Sequence, residues 1–126
     1  MDNLNIYHYQ SKWKDNDHIT LLAVLNGKPV GTVMVQYGGR NKHQALIWNL
    51  HVVKEHRKKR IGEQLLKLAI GDAAARGLEK VYLEWGAYDS PGWVFDWYKR
   101  AGFKPDCVAG AHERRNVVQM TFTIKQ

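Results

Sequence analysis

Between Ala45 and Trp85 the hydrophobic period changes from two to about 3.6 and back to two, and this change limits the folds open to the chain. Leu46, Trp48, Leu50 and Val52 lie two apart, which predicts a strand over Ala45 to Val53 with those residues on one face and Asn49 and His51 on the other. Ile61, Leu65, Leu66, Leu68, Ala69 and Ala73 then gather on one side at about 100° per residue, opposite Glu63, Gln64 and Lys67. That pattern predicts a helix starting near Lys59 or Arg60, and Gly77 suits its left-handed stop. Val81 to Trp85 reads as the next strand. A strand, a helix and a neighbouring strand form a right-handed crossover, so the centre of the sheet is at least partly parallel.

The flanks supply further strands. Ile19 to Leu25 and Val30 to Tyr37 are rich in strand formers, and Asn26-Gly27 between them supplies the positive φ angles of a tight hairpin. Leu4 to Tyr9 and Val117 to Ile124 read as outer strands, Trp93 to Arg100 as a second helix, and Gly102 to Lys104 as the entry to the last part of the sheet. The predicted fold class is α/β, a mixed sheet with a central parallel crossover and helices on its faces. With 126 residues, 44% of them hydrophobic, the chain is expected to form a single domain, 1–126, with a real core.

No apolar run approaches the roughly 20 residues that span a bilayer, and MDNLNIYHYQ lacks the pattern of a signal segment. The expectation is a soluble, cytoplasmic protein without membrane partners. Cys107 stands alone, which excludes a disulfide framework and a paired-cysteine metal motif; no metal site is expected. A net charge of +7 favours polyanions, among which nucleic acid, an anionic surface and a phosphorylated cofactor all qualify.

Arg57-Lys58-Lys59-Arg60 narrows that choice. The cluster lies where a helix begins, beside unpaired backbone N–H groups and the positive end of the helix dipole. Cations there are unfavourable by about 0.3–1 kcal/mol each, and a bound anion reverses the sign. Gly62, without a Cβ, lets a ligand approach the backbone, and N–H groups flanked by Arg and Lys suit a pyrophosphate. A solvated basic turn accounts for the same residues, so the physics alone leaves both readings open.

At these residues the sequence resembles the GNAT superfamily of N-acyltransferases. That family carries R/Q-x-x-G-x-G/A between a strand ending in L-x-V and the following helix; here the matches are Leu50-His51-Val52 and Arg57-Lys58-Lys59-Arg60-Ile61-Gly62. Arg60 occupies the place of the first glycine. Trp97-Tyr98-Lys99-Arg100-Ala101-Gly102-Phe103 resembles the family's F-Y-x-x-x-G-F. Gln10 to His18 leaves no room for the helices that the family places between its first two strands, so these are expected to be shortened or missing.

The resemblance implies an N-acetyltransferase that moves an acetyl group from acetyl-CoA to a primary amine by direct attack in a ternary complex. The cofactor-binding residues it implies are Leu50, His51 and Val52, along which the pantetheine arm runs, and Arg57, Lys58, Lys59, Arg60, Ile61, Gly62 and Glu63, around the pyrophosphate. The N–H of Val52, or one beside it, would polarise the acetyl carbonyl. Tyr98 matches the family's general acid and Glu84 a Leu-Glu pattern that supplies the base, with His51 in reserve. The acceptor is expected to be a small-molecule or peptide amine, and a homodimer could complete the shortened acceptor wall. The competing readings are a non-catalytic CoA-binding sensor and a basic nucleic-acid-binding module using Arg57 to Arg60 with Arg114-Arg115; no nucleic-acid motif accompanies those cations.

Overall fold

The computed structural model describes residues 3–38, 42–86, 90–107 and 117–125, and at positions 58, 59 and 107 the backbone alone. Strands β1 (Leu4–Trp13), β2 (Asn16–Leu25), β3 (Lys28–Gln36) and β4 (Gln44–Val52) come first. A 3₁₀ turn, Lys54–Lys59, leads into helix α1 (Ile61–Ala75). The chain continues through β5 (Lys80–Gly86), α2 (Gly92–Arg100), β6 (Lys104–Cys107) and β7 (Val117–Thr123). These strands form one sheet in the order β1-β2-β3-β4-β5-β7-β6, with β4 and β5 parallel and the other neighbours antiparallel.

The expected mixed sheet with a central parallel crossover is present, and both helices lie on one of its faces. The reason is handedness. β6 runs parallel to β5 because both are antiparallel to β7, so β4-α1-β5 and β5-α2-β6 are successive crossovers advancing in the same direction. Right-handed connections of that kind put their helices on the same side. Val81 and Leu83 are buried on the α1 side, and Trp85, on the same face of β5, meets Phe95 of α2 with ring centroids 5.1 Å apart.

Helix α1 buries Ile61, Leu65, Leu66, Ala69 and Ala73 against β2, β3 and β4. Each large apolar side chain removed from water contributes about 1.5–3 kcal/mol. Leu68, expected on that face, is 47% exposed, since it lies about 100° from the centre of the stripe. The helix ends as expected: Gly77 takes φ +80, its N–H donates to Ala74 O at 3.0 Å, and Leu78 N–H donates to Ala73 O at 3.1 Å.

The Asn26-Gly27 hairpin is present, with φ of 51° and 82°. β1 extends beyond the predicted Tyr9 to Trp13 and passes into β2 through Lys14 and Asp15. No helix stands between the first two strands, so the opposite face of the sheet carries no helix among the described residues.

β4 departs from its predicted phase. Ala45 and Ile47 are buried, whereas Leu46 is half-buried and Trp48 is 41% exposed. Asn49 takes φ +55, and the register with β3 jumps from Met34↔Trp48 to Thr32↔His51, which leaves Asn49 and Leu50 opposite Val33. This β-bulge reverses the parity of the strand, so Ala45, Ile47, Leu50 and Val52 share the helix side. Alternation counted along the sequence assumes no inserted residue and therefore put Leu46 and Trp48 on the wrong face.

A polar cluster ties the end of α1 to the sheet. Asp72 accepts hydrogen bonds from the Tyr37 hydroxyl and from Arg76 Nε, the latter at 3.1 Å. Arg76 Nη1 reaches Asp17 Oδ2 at 3.2 Å, and its guanidinium lies 4.1 Å from the Tyr37 ring centroid. Burial, with the Asp72 bond adding to it, pushes the Tyr37 phenol above its ordinary value, so it remains a donor at neutral pH. Asp72→Ala strands that buried phenol and is expected to cost about 1–3 kcal/mol, read as a lower denaturation midpoint.

Candidate active site

A cleft of about 510 Å³ opens where the end of β4, the start of α1 and the inner face of α2 meet. Leu50, His51, Val52, Arg57, Arg60, Gly62 and Glu63 line one side, and Ser90, Pro91, Trp93, Val94, Trp97 and Tyr98 the other. The sequence expectation thus converges on one place, since every cofactor-binding candidate with a described side chain except Ile61 borders this cleft. Ile61 is buried beneath it, 1% exposed, and serves the core. The side chains of Lys58 and Lys59 lie outside the described set. So do Tyr88, Asp89, His112, Arg114 and Arg115, and with them the proposed second half of a nucleic-acid surface.

Helix α1 starts at Ile61, after the basic cluster rather than within it, because Lys54–Lys59 form a separate 3₁₀ turn. The first helical hydrogen bond runs from Gln64 N to Arg60 O at 3.1 Å, which leaves the N–H groups of Ile61, Gly62 and Glu63 without partners inside the helix. No side chain caps them. A Cβ on Gly62 would lie 3.5 Å from Val52 Cγ2 and 3.7 Å from the Trp97 ring, ordinary contact distances. Glycine is therefore not demanded by packing there; its effect is to keep the turn open to the cleft.

Arg60 adopts φ +61, ψ +21, the left-handed conformation that glycine takes without penalty. Its place in the motif is that of a glycine, and the backbone keeps the glycine geometry at a cost. Arg60→Gly is expected to stabilise the fold by about 0.5–1 kcal/mol, seen as a rise in Tm.

The end of β4 presents a backbone donor to the cleft. Val53 N–H bonds Val30 O at 2.8 Å on the β3 side. Val52, one residue earlier in an extended chain, turns its N–H and C=O to the opposite edge. Arg57 Nε holds that carbonyl at 3.0 Å. On this edge β4 pairs with β5 only from Gln44↔Lys80 to Leu46↔Tyr82, and beyond those residues the strands part. The Val52 N–H thus points into a gap between two parallel strands.

Tyr98 lines the cleft from α2, packed against Trp97 and Phe103 with ring centroids 5.3 and 6.0 Å away. Burial raises its phenol above the ordinary value, so it stays protonated. Glu84 is exposed on β5 and points away from the helices, as the burial of its neighbour Leu83 requires. His51 pairs with Thr32 and faces the same helix-free side. Tyr98 and the carboxylate thus approach the gap from opposite faces of the sheet.

Of the aromatic neighbourhood Trp85, Tyr88, Trp93 and Trp97, expected to be mostly core with one or two residues lining a pocket, Trp93 and Trp97 line the cleft, and sequence reading did not single out Val94. Their spacing with Tyr98, at i, i+1, i+4 and i+5, marks one helix face and would have revealed them. Among the described residues no group of His, Cys, Asp and Glu is placed to hold a metal ion, and no helix is long and apolar enough to cross a membrane.

The sequence model of the acetyltransferase (GNAT) family matches residues 2–103. The chain belongs to the GNAT acetyltransferase family. Solved members share this fold. The ribosomal-protein-S18-alanine N-acetyltransferase of Escherichia coli aligns with 100% of this chain and 96% of its own, at 16% identity and a TM-score of 0.73. The PaiA N-acetyltransferase of Thermoplasma acidophilum, solved in complex with coenzyme A, aligns with 84% of this chain at 20% identity and a TM-score of 0.71; this GNAT chain spans 60% of its length. A GNAT acetyltransferase of Streptococcus pneumoniae, 27% identical, covers 85% of this chain and 66% of its own with a TM-score of 0.68. None of the curated proteins matches this GNAT sequence.

Proposed function

We propose that residues 1–126 act as a single cytoplasmic N-acetyltransferase domain that transfers acetyl from acetyl-CoA to a primary amine in a ternary complex. The observation that carries this reading is the convergence of the open first turn of α1, the Val52 edge of β4 and Tyr98 on one cleft. Its volume, about 510 Å³, lies in the range of small-molecule sites. The residues fit the donor: N–H groups of Ile61, Gly62 and Glu63 that have no partner inside the helix and no side-chain cap, with Arg57 and Arg60 beside them, suit a pyrophosphate, and the gap between β4 and β5 admits a thin thioester arm.

Acetyl-CoA supplies an activated acetyl group and a thiol leaving group. The chain supplies the rest. The Val52 N–H donates to the carbonyl oxygen as negative charge develops on it, an effect often worth about 2.7–4 kcal/mol. Glu84, directly or through a water, takes the proton of the incoming ammonium and passes it to solvent. The C–N bond forms and the C–S bond breaks; the Tyr98 hydroxyl delivers a proton to the departing sulfur, and of the two protons left on nitrogen one stays in the amide while the other is lost and, through solvent, restores the Tyr98 hydroxyl. The balance is an ammonium and a thioester giving an amide, a thiol and one proton.

The direct test is calorimetric titration with acetyl-CoA, followed by thiol release with a panel of amines. Saturable one-to-one binding that survives moderate salt supports the reading, and absence of binding refutes it. Gly62→Trp, which fills the open turn, is expected to weaken acetyl-CoA binding by about tenfold or more while the fold persists.

A further inference from the structure

The face of the sheet without helices has a composition unlike the rest of the chain. Its residues follow from the registers Tyr9↔Thr20, Thr20↔Met34 and Met34↔Trp48, which run in one row across β1 to β4. Tyr7, Tyr9, Trp13 and Trp48 are exposed there. On β1 to β4 the described residues of this face include no Lys, Arg, Asp or Glu, although the chain carries a net charge of +7. The row ends at the gap, and across it stands a carboxylate. Leu46↔Tyr82 is the last paired position of β4 and β5, so Trp48 and Glu84, two residues further along each strand, are level and on the same face.

An exposed indole level with an exposed carboxylate across the gap, reached over strands with no Lys, Arg, Asp or Glu on this face, selects a cation with an aromatic or apolar body. The spacing of adjacent strands, about 4.8 Å and more where they part, sets the distance from ring to nitrogen. We propose that the acceptor is a primary arylalkylamine, its ring resting on Trp48 and Met34 and its ammonium, two or three carbons away, at Glu84. This rests on the acetyltransferase reading above and names the substrate class of that site. The described cations of this face, Lys14 over the Trp13 ring and Lys80 on β5, stand four strands apart rather than clustered as a polyanion requires, and a second copy of the chain brings another +7 against the first.

The test measures thiol release from acetyl-CoA with 2-phenylethylamine, 3-phenylpropylamine, n-butylamine, spermidine and a short peptide with a free N-terminus. The expected result is a kcat/KM for the two arylalkylamines about tenfold or more above that for n-butylamine. Trp48→Ala is expected to erase most of that preference and Trp48→Phe to restore it, while Tm, set mainly by the buried core, changes little. Equal rates for aryl and alkyl amines, preference for spermidine or the peptide, or a Trp48→Ala loss that is the same for every amine overturns the proposal. If acetyl-CoA binds and no amine reacts, the acetyltransferase reading has failed instead; calorimetry of 2-phenylethylamine against n-butylamine on the CoA-loaded protein then still decides the binding site, with tighter 2-phenylethylamine binding that depends on Trp48 supporting it and equal binding overturning it.

Discussion

Tyr98→Phe is expected to lower kcat for acetyl transfer by about 100-fold or more, while affinity for acetyl-CoA stays nearly unchanged. The substitution removes an oxygen and keeps the ring that packs on Trp97 and Phe103, so the cleft wall persists. What is lost is the proton donor that we propose for the leaving sulfur. Burial holds the phenol above its ordinary value, so the donor form survives at neutral pH and the wild-type rate is expected to show no fall from its ionisation there. Steady-state kinetics with calorimetric affinities measures both quantities; an unchanged kcat removes Tyr98 from the chemistry.

Glu84→Gln is expected to lower kcat/KM by about 100-fold at pH 7, with the defect shrinking as pH rises. An alkyl ammonium has a pKa near 10.4, so at pH 7 only about one acceptor in a few thousand is a free amine. With a base present, the bound ammonium is deprotonated in the site. Without it, the rate follows the free amine alone and rises about tenfold per pH unit until that pKa. Parallel pH profiles of wild type and variant, offset by the same amount throughout, would reassign the base to His51 or to solvent.

Much of the cleft wall was legible in the chain because its residues lie close together in sequence. The phosphate turn we propose needs consecutive residues at a helix start, and Arg57 to Glu63 supply them whatever the distant contacts are. Arg60 shows the limit of that reading. Its backbone takes the left-handed conformation of a glycine, a fact no side chain announces. Trp48 shows the other limit. Alternation put it on one face with Leu50 and Val52, and a single bulge at Asn49 separates it from them, leaving it on the helix-free face level with the carboxylate with which we pair it.

The sequence by itself determined the order of strands and helices, the crossover, the tight turns at Asn26-Gly27 and Gly77, and the position of the basic turn at a helix start. Each depends on periodicity or on conformational preferences within a few residues. Only the tertiary structure decided that both helices share one face, that β4 and β5 part after Leu46 and Tyr82, and that Tyr98 and Glu84 approach this gap from opposite sides. Those properties depend on the register between strands and on the handedness of successive crossovers, relations between distant segments that local pattern does not carry.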